Sequence, residues 1–250
     1  MARTASVETP LDAARQALAL IIRLHDREPD KALVDGLREI SPAAFFSLFL
    51  DKEDLQPALE FEEALAALPA PVDEASLDRL AAEYADIYLT HAYRISPNGS
   101  VWLTDDHLER QEPMFQVREW YDHYGIKVPN WRIRSDDHIV HELQFVETLL
   151  SLGRESATQD AARFLDRHVL VWVPHFCRLM AERSKEPFQK SVGLLTVAFL
   201  DVLRDMLEEL TGETRWEPEE PLHPYSLPGA RPEQKPAEQE AFVPGVAESW

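Results

Sequence analysis

The densest group of side chains that could do chemistry is the run Ser-Asp-Asp-His-Ile-Val-His-Glu at residues 135–142. Carboxylate oxygens and imidazole nitrogens are common ligands of divalent metal ions, which can activate water for hydrolysis. One hypothesis is a metal-dependent hydrolase built on four of these side chains, namely Asp137, His138, His141 and Glu142. Against it, the two histidines lie three positions apart, and no other segment supplies a second ligand set such as His-Glu-x-x-His.

Two other interpretations of residues 135–142 need no metal ion. The first is a structural turn in which Ser135 or Asp136 caps the next helix by accepting hydrogen bonds from its first N–H groups. The second is a recognition site, because free N–H groups, carboxylates and an imidazole beside a loop can hold a polar or cationic group of a ligand. The residues alone leave all three interpretations open.

The charge balance narrows the classes of partner. The 250 residues include 25 Lys and Arg but 45 Asp and Glu, which gives a formal net charge of -20. Nucleic acids and anionic membranes attract positive surfaces, so we expect neither nucleic-acid binding nor stable membrane insertion. The acidic surface favours a basic partner, or it serves solubility alone.

Other catalytic and targeting signals are missing from the sequence. It holds no Gly-rich phosphate loop, no Gly-x-Ser-x-Gly elbow and no zinc-finger spacing, and its one cysteine, Cys177, excludes an intrachain disulfide. We therefore expect no cofactor. The N-terminus has no apolar signal region, and no apolar run reaches membrane-spanning length, so we expect a cytoplasmic protein.

The elements that must position these residues are helices. Only 8 glycines against 18 prolines, with apolar residues at helical spacing almost throughout, predict an all-α protein. Proline and capping signals predict helix starts at Pro10, Pro42, Asp73, Pro113, Ser135 or Asp136, Ser156 (with Gln159), Pro174 and Pro187. The glycines Gly125 and Gly212 predict helix ends. The pattern indicates a globular helical domain over residues 1–212, with loops at 94–112 and 127–134.

The composition changes after Gly212. Seven of the 18 prolines fall in residues 213–250, with glutamates between them. Such a segment has too little apolar surface to offset the entropy lost on ordering. We predict an acidic, Pro-rich tail over residues 213–250 that is disordered or loosely docked.

Six aromatic side chains could line an apolar groove, although ordinary core packing explains each of them equally well: Tyr84, Tyr88, Trp102, Trp120, Tyr121 and Tyr124. Such a groove, or the acidic tail, would suit a helical interaction protein. That non-enzymatic class stands beside the hydrolase as an alternative.

Four stretches in a fixed order carry a resemblance to a known family. They are Glu-Tyr-Ala-Asp-Ile-Tyr at 83–88, Pro-Asn-Gly-Ser-Val-Trp-Leu at 97–103, Val-Arg-Glu-Trp-Tyr-Asp-His-Tyr-Gly at 117–125, and Asp-His-Ile-Val-His-Glu-Leu-Gln-Phe at 137–145. This order resembles the TorD/DmsD/NarJ family of redox-enzyme maturation chaperones. Its members show Pro-x-x-Ser-Val-Tyr, Tyr-x-x-x-Gly, and Glu-Pro-x-Asp-His before a helix carrying Glu-Leu-x-Phe. The resemblance covers residues 11–211.

The resemblance implies an all-α fold, a single globular domain of about ten helices. It also implies a non-enzymatic cytoplasmic chaperone. Its partner would be the precursor of a molybdopterin oxidoreductase catalytic subunit, bound through a twin-arginine signal peptide until the molybdenum cofactor is inserted before export. NarJ-like members instead bind the N-terminus of a subunit that is not exported. Whether the protein is a monomer or a dimer stays open.

The resemblance also implies the residues of a peptide-binding site, which are Tyr84, Tyr88, Trp102, Tyr121, Gly125, Ser135, Asp137 and His138. Two positions depart from the family pattern, since Arg134-Ser135 stands where the motif has Glu-Pro and Trp102 replaces a tyrosine. We hypothesise that Asp137 accepts a hydrogen bond from a cationic or N–H group of the peptide. His138 would then orient the loop.

Overall fold

A computed structural model describes residues 10–90 and 92–218 of the chain. These residues form eleven α-helices and one π-helical segment and contain no β-strand, which confirms the predicted all-α class. The helices are α1 Pro10–Asp26, α2 Lys31–Ile40, α3 Pro42–Phe46, α4 Gln56–Ala66, α5 Glu74–Tyr88, α6 Ser100–Leu103, α7 Glu112–His123, α8 Ile139–Ser151, α9 Glu155–Phe164, α10 Val173–Arg183 and α11 Pro187–Thr211. The π-helical segment, Leu165–Val169, directly follows α9.

Several helix boundaries follow from the local signals in the sequence. The Asp73 side chain accepts a hydrogen bond of 2.9 Å from the Ser76 N–H and so caps α5. Gly212 ends α11 with a left-handed φ of 70°, a conformation that glycine adopts without steric strain. The prolines predicted to begin α1, α3 and α11 occupy those starts, where a missing N–H removes no helical hydrogen bond.

Other predicted boundaries were wrong. The cap of α8 is His138, whose Nδ1 accepts a hydrogen bond from the Val140 N–H, while neither Ser135 nor Asp136 caps that helix. The predicted capping box at Ser156 does not form either, because α9 begins one residue earlier with no side-chain cap. Helix α2 was missed, and the predicted loop 94–112 contains the short helix α6.

Helix α11 crosses the middle of the bundle, where it contacts α1, α4, α5, α9 and α10. Its approach to α10 requires a glycine, since a Cβ on Gly193 would lie 2.6 Å from the carbonyl oxygen of Cys177. Cys177 is fully buried there, and burial raises the pKa of its thiol. Within the described residues no helix has both the length and the apolar character needed to cross a bilayer.

A buried ion pair joins α11 to the π-helical segment. Arg204 donates to both carboxylate oxygens of Asp166, at 2.7 Å and 2.9 Å, and neither side chain has appreciable exposure. The same carboxylate accepts a hydrogen bond of 2.9 Å from the Trp216 N–H. Arg163 donates to both oxygens of Glu213 at 2.8 Å and 2.7 Å. The first residues of the predicted tail are thus held on the helices, while residues 219–250 lie outside the described part.

Replacing Gly193 with alanine tests the close crossing of α10 and α11. Gly193→Ala should lower the free energy of unfolding by about 1–3 kcal/mol, because the added methyl overpacks against rigid backbone. Gly36→Ala in α2 is the matched control, since nothing lies within 4 Å of its Cβ. The control should raise stability by about 0.5–1 kcal/mol through helix propensity. Urea titration measures the free energy of unfolding of both variants. If Gly193→Ala unfolded with the same free energy as the native protein, the close approach of α10 and α11 at Gly193 would be contradicted.

Candidate functional site

The Asp137 carboxylate lies fully buried between two loops and accepts three hydrogen bonds from its own chain. Its Oδ2 accepts from the Ser100 N–H at 2.6 Å and from the Ser100 hydroxyl at 2.5 Å. Its Oδ1 accepts from the Ser135 hydroxyl. Charge-assisted bonds of this kind are among the strongest in proteins, so this carboxylate fixes both loops.

Backbone hydrogen bonds join the same two loops beside Asp137. The Gly99 N–H donates to the Asp137 carbonyl at 2.8 Å, and the Ile139 N–H donates to the Pro97 carbonyl at 2.9 Å. Together they make an antiparallel bridge between Asn98 and His138. Two motifs that are far apart in sequence therefore form one structural unit.

Ser100 and Trp102 hold the loop before α7 from the inside. The Ser100 hydroxyl, which donates to Asp137, also accepts a hydrogen bond of 3.1 Å from the Gln111 N–H. The indole of Trp102 is buried and donates to the Ser96 carbonyl at 2.8 Å. Trp102 is thus an anchor of this loop, and its indole N–H is already satisfied.

Glu142 is a second buried carboxyl group next to Asp137. Burial raises its pKa well above the ordinary value, and the negative charge of Asp137 raises it further, while a hydrogen bond from Trp172 lowers it. That bond joins Trp172 Nε1 to Glu142 Oε2 at 3.1 Å. Gly99 leaves room for the pair, because a Cβ there would lie only 3.0 Å from Trp172 Nε1.

The neighbouring residue Asp136 links these loops to α7. Arg118 donates to its Oδ2 at 2.8 Å, and the Tyr121 hydroxyl donates to its carbonyl oxygen at 3.0 Å. The Arg118 guanidinium also lies 5.4 Å from the ring centre of Phe115 and 5.1 Å from that of Trp131. Tyr121 is buried, which raises the pKa of its hydroxyl well above the ordinary value.

Both histidines of the run are engaged through Nδ1. His138 Nδ1 accepts from the Val140 N–H at 3.1 Å, and His141 Nδ1 lies 2.7 Å from the Ser135 carbonyl, to which it must donate. Burial lowers the pKa of both rings. In the described ranges, no group of three or more His, Cys, Asp or Glu side chains is placed to hold a metal ion. The geometry therefore does not support the hydrolase hypothesis.

Tyr84 and Tyr88 stack on each other in the core, with ring centres 4.5 Å apart. The Tyr88 hydroxyl lies 2.6 Å from Nδ1 of His25, whose burial lowers its pKa to about 3. The Tyr84 hydroxyl donates to the Asp26 carbonyl at 2.8 Å, and burial raises its pKa to about 12. Both tyrosines thus pack the end of α1 against α5.

Arg134, the first departure from the family motif, makes an ion pair with the same end of α1. Its guanidinium donates to Asp26 Oδ1 at 2.6 Å and to the Asp26 carbonyl at 2.7 Å. Helix C-terminal carbonyls attract cations, so an arginine is well placed there. Where the family motif has a glutamate, this chain therefore has an arginine that bonds its loop to the C-terminal end of α1.

The predicted peptide-binding residues are almost all inside the protein. Seven of the eight are buried, namely Tyr84, Tyr88, Trp102, Tyr121, Ser135, Asp137 and His138, while Gly125 is exposed with a left-handed φ of 70°. The expected direct hydrogen bond from a peptide to Asp137 is not available in this conformation, since both carboxylate oxygens are used internally and no surface is exposed. Peptide binding by this set stays a prediction, and the geometry gives these side chains a positioning role.

Sequence reasoning missed three residues of the cluster. Gly99 and Ser100 lie inside the Pro-Asn-Gly-Ser motif, so their position in that motif was an available signal. Trp172 had no such signal, because its partner Glu142 is far away in the sequence.

Comparison with known proteins agrees with the motifs. Residues 52–178 match the model of the family described as nitrate reductase delta subunit. A protein named Chaperone protein TorD from Vibrio vulnificus (strain YJ016) is 27% identical over 194 residues, which are 74% of this chain and 89% of that protein. Its namesake from Shewanella loihica is 27% identical over 197 residues, covering 76% and 90%. The one from Vibrio cholerae (strain El Tor Inaba N16961) is 29% identical over 180 residues, covering 68% and 80%.

These matches confirm the resemblance inferred from the sequence. The family match spans all four motif stretches, from residue 83 to residue 145. The relatives are named chaperones, a non-enzymatic class, which confirms the prediction that this protein is not an enzyme.

Asp137→Ala should destabilise the protein rather than act only on a ligand. Three buried donors would lose their acceptor, and because each such loss costs about 1–3 kcal/mol, the free energy of unfolding should fall by about 3 kcal/mol or more. The exposed carboxylate of Asp35, paired with Lys31 on α2, is the control, and its alanine variant should lose less than about 0.5 kcal/mol. Urea titration would contradict this role if both variants unfolded like the native protein.

Glu142→Gln should change how stability depends on pH. The folded state raises the pKa of Glu142 above its ordinary value, so the folded protein binds a proton that the unfolded chain has released. Native stability therefore falls as pH rises from about 4.5 towards the raised pKa, whereas glutamine does not ionise and still accepts the Trp172 hydrogen bond. Urea titrations across this range should show the free energy of unfolding of Glu142→Gln increasing relative to that of the native protein as pH rises. If the two free energies changed with pH in parallel, this role of Glu142 would be contradicted.

Proposed function

Because the chain belongs to the TorD/DmsD/NarJ family of redox-enzyme maturation chaperones, matched as nitrate reductase delta subunit, we propose that it binds the N-terminal twin-arginine signal peptide of a molybdenum-cofactor oxidoreductase. The protein is a chaperone for molybdoenzyme maturation rather than an enzyme. It acts in the cytoplasm and holds the precursor of the catalytic subunit until its cofactor is inserted, before export. Family membership is the observation that carries this proposal.

Charge supports a basic partner. A twin-arginine leader has a basic segment followed by an apolar segment, and the chaperone has a formal net charge of -20. Opposite charges steer such a peptide towards the protein and raise the rate of encounter. Exposed charges are screened over about 8 Å at physiological ionic strength, so this contribution weakens with salt.

The proposed contact surface lies on two loops beside the Asp137 cluster, residues 104–111 and 124–138. Ser100, which Asp137 binds, also accepts a hydrogen bond from the Gln111 N–H at the end of the first loop. Leu108 in the first loop is 57% exposed and Ile133 in the second is 81% exposed. A hydrogen bond of 2.8 Å from Arg110 to the Arg132 carbonyl brings the loops together at this point. The apolar segment of the leader would bury these side chains, at about 25 cal/mol per Å² of apolar surface removed from water.

The backbone of the first loop supports a functional role. His107 and Arg110 have left-handed φ values of 51° and 60°, which are uncommon for residues other than glycine. Strained positions of this kind are concentrated at binding sites, where the surrounding structure holds them in place. Here the holding elements are the buried cluster around Asp137 and the anchored indole of Trp102.

A second candidate function follows from the family description. It names a nitrate reductase subunit, which favours a NarJ-like chaperone that binds the N-terminus of a client that is not exported. The same loops would serve that client. The two candidates differ in whether the bound segment carries the paired arginines.

Calorimetry with synthetic peptides tests the proposal. A leader with Ser-Arg-Arg-x-Phe-Leu should bind, a Lys-Lys version should bind more weakly because lysine lacks the bidentate guanidinium, and raising the salt should weaken both. Leu108→Asp with Ile133→Asp should weaken the leader at least about tenfold, a loss of about 1.4 kcal/mol. Leu48→Asp, at a side chain 69% exposed on another part of the surface, is the control and should leave affinity unchanged.

Each result of the peptide experiment separates the candidates. Binding of a client N-terminus without paired arginines, with no binding of the leader, would favour the NarJ-like function. Failure of both peptides to bind would contradict the proposed function. Equal loss of affinity in the loop variants and the Leu48 variant would place the contact surface elsewhere.

A further inference from the structure

Two guanidinium groups lie against the ring of Trp131, in the loop that follows α7. Arg118 of α7 and Arg132 of the loop each lie 5.1 Å from the centre of that ring. Arg118 also lies 5.4 Å from the ring centre of Phe115, whose side chain is 46% exposed. Aromatic rings attract cations held over them, so these four side chains form one connected basic and aromatic surface.

A third arginine lies at the edge of these four side chains. Arg110, in the loop before α7, donates a hydrogen bond of 2.8 Å to the carbonyl oxygen of Arg132. All five residues are exposed or half-buried. We refer to Arg110, Phe115, Arg118, Trp131 and Arg132 together as the Trp131 surface.

The Trp131 surface is positive in a strongly acidic protein. Arg118 is paired with a carboxylate, that of Asp136, at 2.8 Å. No carboxylate in residues 10–90 and 92–218 forms an ion pair with Arg110 or Arg132, although the whole chain has 45 Asp and Glu. Within that part of the chain, two of the three positive charges are therefore not neutralised.

The arrangement of the charges has a cost that an anion would offset. Arg118 and Arg132 share one ring, so two like charges are held close together and repel each other. A carboxylate beside Arg132 would offset this repulsion. It would also accept two parallel hydrogen bonds from the guanidinium, a geometry that an arginine presents ready-made.

The chemistry of the surface selects an acidic partner that also carries an apolar side chain. Arginine and tryptophan are enriched among the residues that contribute most to protein interfaces, and arginine clusters recognise acidic motifs. Trp131 and Phe115 offer ring surface on which an apolar side chain can pack. A short acidic segment fits better than an anionic membrane, because a chain with a formal net charge of -20 repels an extended negative sheet.

We propose that the Trp131 surface binds an acidic segment of a partner protein, with carboxylates paired to Arg110 and Arg132 and an apolar side chain packed on Trp131. The paired arginines of a twin-arginine leader are repelled here by like charges. The surface therefore serves a second class of ligand, and the proposal does not depend on the leader. A leader on Leu108 and Ile133 and an acidic segment on the Trp131 surface would lie side by side.

Fluorescence anisotropy with a labelled synthetic peptide tests the proposal. At physiological ionic strength, where charges beyond about 8 Å are screened, the probe Glu-Asp-Glu-Leu-Phe-Asp-Glu should bind the full chain. A peptide with lysine at each acidic position should not bind. Arg132→Glu should raise the dissociation constant of the acidic probe at least about tenfold, because an attractive contact becomes a repulsive one.

Arg178→Glu is the matched control for Arg132→Glu. It makes the same charge change at an exposed position on α10 and should leave the dissociation constant within about twofold of the native value. Trp131→Ala should also weaken binding, and Trp131→Phe should restore most of it, because phenylalanine keeps an aromatic face for the apolar side chain.

The remaining outcomes would overturn the proposal. One is failure of the acidic probe to bind, and another is an equal loss of affinity in the Arg132 and Arg178 variants. A third is binding of phosphatidylserine vesicles without binding of the probe, because the Trp131 surface would then contact a membrane rather than a protein.

Discussion

The buried carboxylate of Asp137 is the interaction on which the joined loops before and after α7 depend. It accepts hydrogen bonds from the backbone N–H and hydroxyl of Ser100 and from the hydroxyl of Ser135, so one charge holds two segments that flank α7 in the sequence. A buried carboxylate is tolerated only when its oxygens are satisfied, and here the donors come entirely from the chain itself. The loops can then display exposed apolar side chains without unfolding.

This arrangement changes how the family motifs are understood. The resemblance assigns Asp137, His138 and Tyr121 to peptide contact, yet their polar atoms join the loops, cap α8 or reach a backbone carbonyl. Glu142 extends the buried polar cluster to Trp172 on the far side. The motif residues of this chain therefore form a scaffold that positions the exposed side chains of the loops.

The sequence predicted the helical class and the helices with strong caps or prolines, because those signals act within a few residues. It predicted the wrong cap for α8, because the choice between Asp136 and His138 depends on Ser100 and Arg118, which are distant in sequence. Motif order grouped Tyr121, Ser135, Asp137 and His138, which the structure brings together, but it also included Tyr84 and Tyr88, which pack against the end of α1. It could not predict their burial, because exposure is decided by α6 and Trp172 packing against them.

The docking of Trp216 onto the buried Asp166 has a consequence for how the folded unit should be delimited. Composition changes after Gly212, yet the carbonyl of Glu213 accepts a hydrogen bond from Arg204, and the N–H of Trp216 donates one to Asp166 in the interior. A boundary drawn at Gly212 would cut through these interior contacts. The folded unit therefore extends at least to Trp216, several residues into the stretch whose composition suggests a linker.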